Sequence, residues 1–125
     1  MNLIEQANEI IDSGTLTDYE ITQLQRIKWK MTMLYNEMTN NAGYKEQMYN
    51  KMRANTYIGV VQKAKQEGKK YTQAEAEAIS KKKSEDEYWD WRDWKAKCTG
   101  MKAVMDSIKD ICVDYYTVQK NKLDI

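Results

Sequence analysis

The sequence contains no histidine and no proline, and only five glycines and two cysteines in 125 residues. Without histidine, catalytic triads and zinc sites that depend on an imidazole are excluded. The glycines are too far apart to form a glycine-rich phosphate-binding loop. We therefore expect no catalytic residues, no metal site and no cofactor, and we expect that the protein is not an enzyme.

Long apolar runs are also missing, since no stretch approaches the roughly 20 residues that span a bilayer. The first residues lack the basic start and apolar core of a signal peptide. Cys98 and Cys112 lie two heptads apart on a predicted helix, about 21 Å along its axis, which is too far for a disulfide. We expect buried free thiols and a cytoplasmic protein without membrane contact.

The C-terminal part contains the most regular pattern in the chain. From Trp91 to Tyr115, apolar side chains recur at alternating steps of three and four residues over four heptads. This seam predicts a long coiled-coil-like helix whose apolar face mediates oligomerisation. The residues predicted for this interface are Trp91, Trp94, Cys98, Met101, Met105, Ile108, Cys112 and Tyr115.

The remaining signals favour an all-α fold, a helical hairpin or bundle completed by the long C-terminal helix. The length predicts a single domain over residues 1–125. Within it we expect an N-terminal helix over 1–16, a helical hairpin with a basic segment over 17–70, and the C-terminal helix over 72–122.

Local motifs support these boundaries. Thr17–Glu20 and Thr72–Glu75 have the capping-box pattern of a helix start, and Gly14 suits a left-handed helix end. Residues 39–43 are a weak break, either a turn or a continuous helix. A second stripe, with the same rhythm as the C-terminal seam, is expected to pack against it. It comprises Leu24, Ile27, Met31, Leu34 and Met38.

The middle of the chain is basic, with ten basic and four acidic side chains in residues 44–83. Lysines that follow the phosphates and tyrosines that stack on bases are the mixture that single-stranded nucleic acid requires. Lys81–Lys83 either add to this surface or pair with neighbouring glutamates. The residues predicted to bind nucleic acid are Lys51, Arg53, Lys63, Lys65, Lys69 and Lys70.

The order of these features resembles that of the UvsY-like recombination mediators of tailed phages. Lys28–Trp29 in an early helix is followed by the basic helix 51–70 and a polar break at 68–72. The C-terminal helix then has the pattern Trp-x-x-Trp-x-x-x-Cys-x-x-Met-x-x-x-Met-Asp-x-Ile-Lys over Trp91–Lys109. The resemblance covers about residues 26–122.

The resemblance implies a protein of the bacterial host cytoplasm that forms small rings through its C-terminal helix. Such a protein binds single-stranded DNA and helps to load a strand-exchange recombinase onto DNA covered by single-strand-binding protein. The resemblance places the DNA contacts at Lys51, Arg53, Lys63 and Lys65. Repetition of a weak site around an oligomer would raise its apparent affinity, because later contacts become intramolecular.

Two other functions fit the same pattern. The first is a small phage inhibitor of a host defence nuclease, of the anti-CRISPR type, which uses the acidic patch Glu85–Asp93 to mimic nucleic acid. The second is a structural oligomeric adaptor without affinity for DNA. Asp86, Asp90 and Asp93 share one helical face of the patch and could hold a divalent cation, but they are interpreted as solvated carboxylates paired with neighbouring basic side chains. Trp89 lies off the seam and is the best candidate for a contact with a partner.

Overall fold

The computed structural model describes residues 1–123, which form four α-helices and no strand. The helices are α1 (Leu3–Asp12), α2 (Asp18–Gln66), α3 (Gln73–Lys83) and α4 (Glu85–Leu123). The predicted all-α fold with a long C-terminal helix is confirmed. No helix in the described part of the chain combines the length and the apolarity that crossing a membrane requires.

The end of α1 and the start of α2 lie at the expected signals, although α1 is shorter than the helix expected over 1–16. Gly14, with φ of 74°, adopts the left-handed conformation after α1. At the start of α2 the Thr17 backbone N–H donates to Glu20 Oε2 at 3.1 Å, which is the glutamate half of the predicted capping box. A further capping box starts α1, where Glu5 N–H donates to Asn2 Oδ1 at 2.8 Å.

Helix α2 runs without interruption through residues 39–43 to Gln66, so the hairpin expected within 17–70 is not formed there. The segment contains poor helix formers but no proline, and a residue such as Gly43 costs only about 1 kcal/mol relative to alanine. Burial of Tyr49, Val60 and Ala64 farther along α2 offsets costs of that size. The weak break is therefore part of one helix.

The polar break after α2 has the geometry of a Schellman motif. Gly68 has φ of 71°, and Lys69 N–H donates to Ala64 O at 2.8 Å. The second predicted capping residue, Thr72, accepts from Glu75 N–H at 3.1 Å and starts α3. The end of α2 and the start of the next helix thus lie where the sequence predicts them.

The C-terminal helix predicted over 72–122 is interrupted once, at Ser84, which has φ of −107° and separates α3 from α4. Ser84 Oγ donates to Ser80 O at 2.6 Å, and Ser80 Oγ donates to Ala76 O at 2.8 Å. Serine hydroxyls that bond back to the preceding turn compete with the backbone and bend helices. Both serines are buried, so they make these bonds away from solvent.

Contacts within the chain fall into two compact units. The terminal unit contains residues 1–38 and the described residues from Lys97 onwards, and the central unit contains Thr39–Ala96. Helices α2 and α4 contribute to both units. The prediction of a single domain stays a prediction, because two units that share helices need not be separate domains.

The terminal unit is built on the two predicted apolar stripes. Residues of α1, α2 and α4 form one cluster of buried side chains, in agreement with the expectation that the two heptad patterns pack together. The buried members are Ala7, Ile21, Leu24, Ile27, Met31, Met101, Ile108 and Cys112. Burial raises the pKa of the Cys112 thiol, as expected for a cysteine that acts as a small apolar residue.

One predicted member of the α2 stripe lies outside the core. Leu34 is 41% exposed, whereas Leu24 is fully buried. Tyr35, which the heptad spacing places off the stripe, packs against the core instead. A straight helix has 3.6 residues per turn and drifts away from a strict heptad, so the buried face moves by one residue towards the end of the stripe.

The end of α4 is joined to the start of α2 by a hydrogen bond within the terminal unit. The Tyr115 hydroxyl donates to the Asp18 carboxylate. This bond is the main reason that the pKa of Tyr115 rises from 10.0 to about 12, with burial of the phenol second. Beside it, Gln25 Nε2 donates to the Tyr116 hydroxyl at 3.1 Å.

The leucine pair in α2 gives a matched test of this core. Leu24→Ala should lower the free energy of unfolding by about 2–5 kcal/mol, because it opens a cavity in a closed cluster. Leu34→Ala should cost less than about 1 kcal/mol, because an exposed side chain leaves no cavity. Urea denaturation followed by circular dichroism measures both, and equal losses would contradict the assigned burial.

The Tyr115 bond makes the stability of the terminal unit sensitive to alkaline pH. The folded chain holds the phenol proton more tightly than the unfolded chain, so the bond contributes fully below about pH 10 and is lost towards about pH 12. Tyr115→Phe should therefore be less stable than the wild type near neutral pH, and the gap should close at alkaline pH. Urea midpoints measured across this range test this, and a constant gap would rule it out.

Candidate nucleic-acid interface

Three aromatic rings join α2 to α4 in the central unit. Tyr49 of α2 stacks on Trp91 of α4, with ring centroids 5.7 Å apart and planes at 16°. Tyr88 meets the same two rings edge-on, at 5.4 Å and 5.9 Å. Offset stacks and edge-to-face contacts are the favoured arrangements of aromatic pairs. The cluster therefore fixes the two helices at this position.

A groove of about 790 Å³ opens beside these rings. Its volume lies within the range of small-molecule sites, and its lining contains both aromatic and charged side chains. Helices α2, α3 and α4 all contribute to its lining. The lining residues are Tyr49, Asn50, Arg53, Lys81, Lys82, Glu85, Tyr88, Trp89 and Trp91.

The charge in the groove is predominantly positive. Arg53 comes from α2, while Lys81 and Lys82 come from the last turn of α3. Glu85 is the acidic residue among those that line the groove. Cations that line one groove suit the phosphates of a nucleic-acid strand, and an exposed aromatic ring beside them suits its bases.

An ion pair supports the same helix pair. Lys45 Nζ of α2 lies 2.8 Å from Asp90 Oδ2 of α4, and this hydrogen bond raises the pKa of Lys45. The pair is largely exposed, so it adds less to stability than the aromatic cluster. Arg92 and Lys95 also lie within 6 Å of the Trp91 ring.

The six basic residues predicted to bind nucleic acid do not form one surface. Arg53 lines the groove, whereas Lys63 and Lys69 line a separate cavity of about 240 Å³ near the end of α2. Lys51, Lys65 and Lys70 are exposed and line neither. Because residues two apart lie on nearly opposite sides of a helix, Lys51 and Arg53 point in different directions.

The smaller cavity is less suited to a phosphate backbone. Lys63, Lys69 and Lys83 line it together with Glu67, and Lys69 Nζ lies 3.4 Å from the Glu67 carboxylate. A carboxylate at this distance offsets part of the local positive charge. The larger groove has the same balance of three basic and one acidic side chain, but four aromatic side chains line it and one lines the smaller cavity, so the groove is the better candidate.

The seam predicted to mediate oligomerisation has partners within the chain. Met101, Ile108 and Cys112 are buried in the terminal unit, and Met105 and Tyr115 pack against that core. Heptad spacing alone does not distinguish packing within a chain from packing between chains. Oligomerisation through this seam stays a prediction.

The other three residues of the seam are buried or half-buried. Cys98 is buried, Trp94 is half-buried, and Trp91 packs on Tyr49. The apolar pattern up to Tyr115 is thus largely accounted for by contacts within the chain.

The acidic patch Glu85–Asp93 has basic neighbours. Asp90 is paired with Lys45, and Glu85 shares the groove with Lys81 and Lys82. Within residues 1–123, no group of three or more acidic or cysteine side chains is arranged to hold a metal ion. The patch is therefore not a uniform anionic surface.

The residues predicted to bind nucleic acid do not include Lys81, Lys82 and Trp89, although each of the three is conspicuous in the sequence. The lysines form a conspicuous basic block, and Trp89 lies off the heptad seam. Their position beside Arg53 could not be predicted from the sequence, because it depends on how α2 packs against α3 and α4.

Comparisons with protein-family models, curated proteins and solved structures find no match for this chain.

Proposed function

We propose that this protein is a non-enzymatic accessory factor that binds single-stranded DNA in the groove of the central unit. The observation that carries the proposal is the presence of Arg53, Lys81 and Lys82 in one groove with the exposed indole of Trp89. Cations bind the phosphates irrespective of sequence, and aromatic faces accept any base.

The resemblance to UvsY-like mediators supports a more specific role in phage recombination. In that role the protein helps to load a strand-exchange recombinase onto DNA covered by single-strand-binding protein. A homo-oligomer would present several copies of the groove to one strand, and each further contact would be intramolecular. This role accounts for a modestly charged groove, because affinity then comes from repetition.

Two triple variants that remove equal charge test the site. Arg53→Ala/Lys81→Ala/Lys82→Ala should bind a fluorescent oligothymidylate at least about tenfold more weakly at low salt. Its plot of log affinity against log salt concentration should be less steep by about two, because each phosphate that is no longer neutralised reduces the slope by about 0.7.

The control is Lys51→Ala/Lys65→Ala/Lys70→Ala, which changes exposed residues that line neither cavity. It should retain most of the affinity and of the salt dependence. Equal losses in both variants would show that binding is diffuse and would reject the groove. If the wild-type protein does not bind at low salt, the proposed function itself fails.

A further inference from the structure

The aromatic side chains that line the groove differ in how they are used. Tyr49 is 7% exposed, stacks on Trp91 and is met edge-on by Tyr88. These three rings are engaged with one another across the two helices. Their role is to form the wall of the groove, because a ligand ring could stack on Tyr49 only after that wall opened.

Trp89 has a different environment. It follows Tyr88 on α4 and is 56% exposed. Its ring contacts Tyr88 in a T-shaped arrangement, with centroids 5.3 Å apart and planes at 74°. This contact restrains the indole without covering most of its surface. Trp89 thus offers an exposed and restrained aromatic face in the lining of a groove with three basic side chains.

We infer that Trp89 is the base-stacking residue of the groove, and that Arg53, Lys81 and Lys82 hold the phosphates beside the stacked base. This inference rests on the proposed function. It adds that the ligand is an unpaired base with its backbone, and that the choice of single strand over duplex comes from Trp89. Bases in a duplex already stack on their neighbours, so their faces are not available to the indole.

The charge around Trp89 distinguishes this assignment from a contact with a partner protein. Exposed tryptophans are also common in protein interfaces, where the centre of the contact is depleted of charged residues. Here three basic side chains line the same groove as the indole, which favours a polyanionic ligand with aromatic bases.

The test compares Trp89→Ala with Trp89→Phe, which keeps a flat ring. The control is Trp29→Ala, which removes an indole that is 68% exposed and lies in the terminal unit. The probes are an oligothymidylate, an abasic oligonucleotide of the same length and a duplex. The abasic strand has the same phosphates but no bases.

Trp89→Ala should weaken binding of the oligothymidylate by about tenfold, while Trp89→Phe should stay within about threefold of the wild type. Neither variant should change affinity for the abasic strand or the duplex, so Trp89→Ala should lose most of its preference for single strands. Trp29→Ala should bind all three probes as the wild type does.

Unchanged oligothymidylate binding by Trp89→Ala would overturn the inference and leave Trp89 as a contact for a partner protein. An equal loss for the abasic strand would also overturn it, because the indole would then act through the backbone or the fold. Either result leaves the proposed function intact, provided that the wild type binds the oligothymidylate and that the Arg53→Ala/Lys81→Ala/Lys82→Ala variant binds it more weakly. If the wild-type protein binds none of the three probes, both the inference about Trp89 and the proposed function fail.

Discussion

The stack between Tyr49 of α2 and Trp91 of α4 is the contact on which the geometry of the central unit depends. Aromatic side chains have few torsions to immobilise and bury a large apolar area, and a favourable ring pair adds about 0.5–1.5 kcal/mol beyond that area. Tyr88 joins the stack edge-on, so the rings restrain the rotation of each helix as well as their separation. Arg53, one turn beyond Tyr49, is thereby directed into the groove that Lys81 and Lys82 also line.

Much of the fold could be predicted because its signals are local. Gly14 and Gly68 adopt left-handed conformations, and Thr17 and Thr72 lie at helix starts. The sequence leaves residues 39–43 open as a turn or a continuous helix and does not predict the break at Ser84, and the two outcomes have different causes. Weak helix formers in residues 39–43 are overridden by packing on either side, whereas Ser84 interrupts a sequence of good helix formers through hydrogen bonds of its own side chain. Intrinsic propensity is thus overridden by packing in the first case and by local side-chain hydrogen bonds in the second.

The sequence predicts a basic segment, but it does not predict which basic residues line one groove. Counting charge along the sequence located a basic segment, but a helix distributes neighbouring residues around its axis. Lysines that are adjacent in the chain therefore need not share a surface. Only the packing of α2 against α3 and α4 reveals that Arg53 belongs with Lys81 and Lys82. The heptad seam similarly predicted burial of Ile108 and Cys112, but spacing could not identify the partner, which is α2 of the same chain.

The central claim is that single-stranded DNA occupies the groove of the central unit. The most direct measurement is a two-dimensional proton–nitrogen spectrum of the indole N–H groups during titration with an oligothymidylate, since each of the four tryptophans contributes one signal. The account predicts that the Trp89 signal shifts progressively, with a smaller shift for Trp91 in the groove wall, while Trp29 stays unchanged. A shift confined to Trp29, or spectra that do not change at low salt, would contradict it.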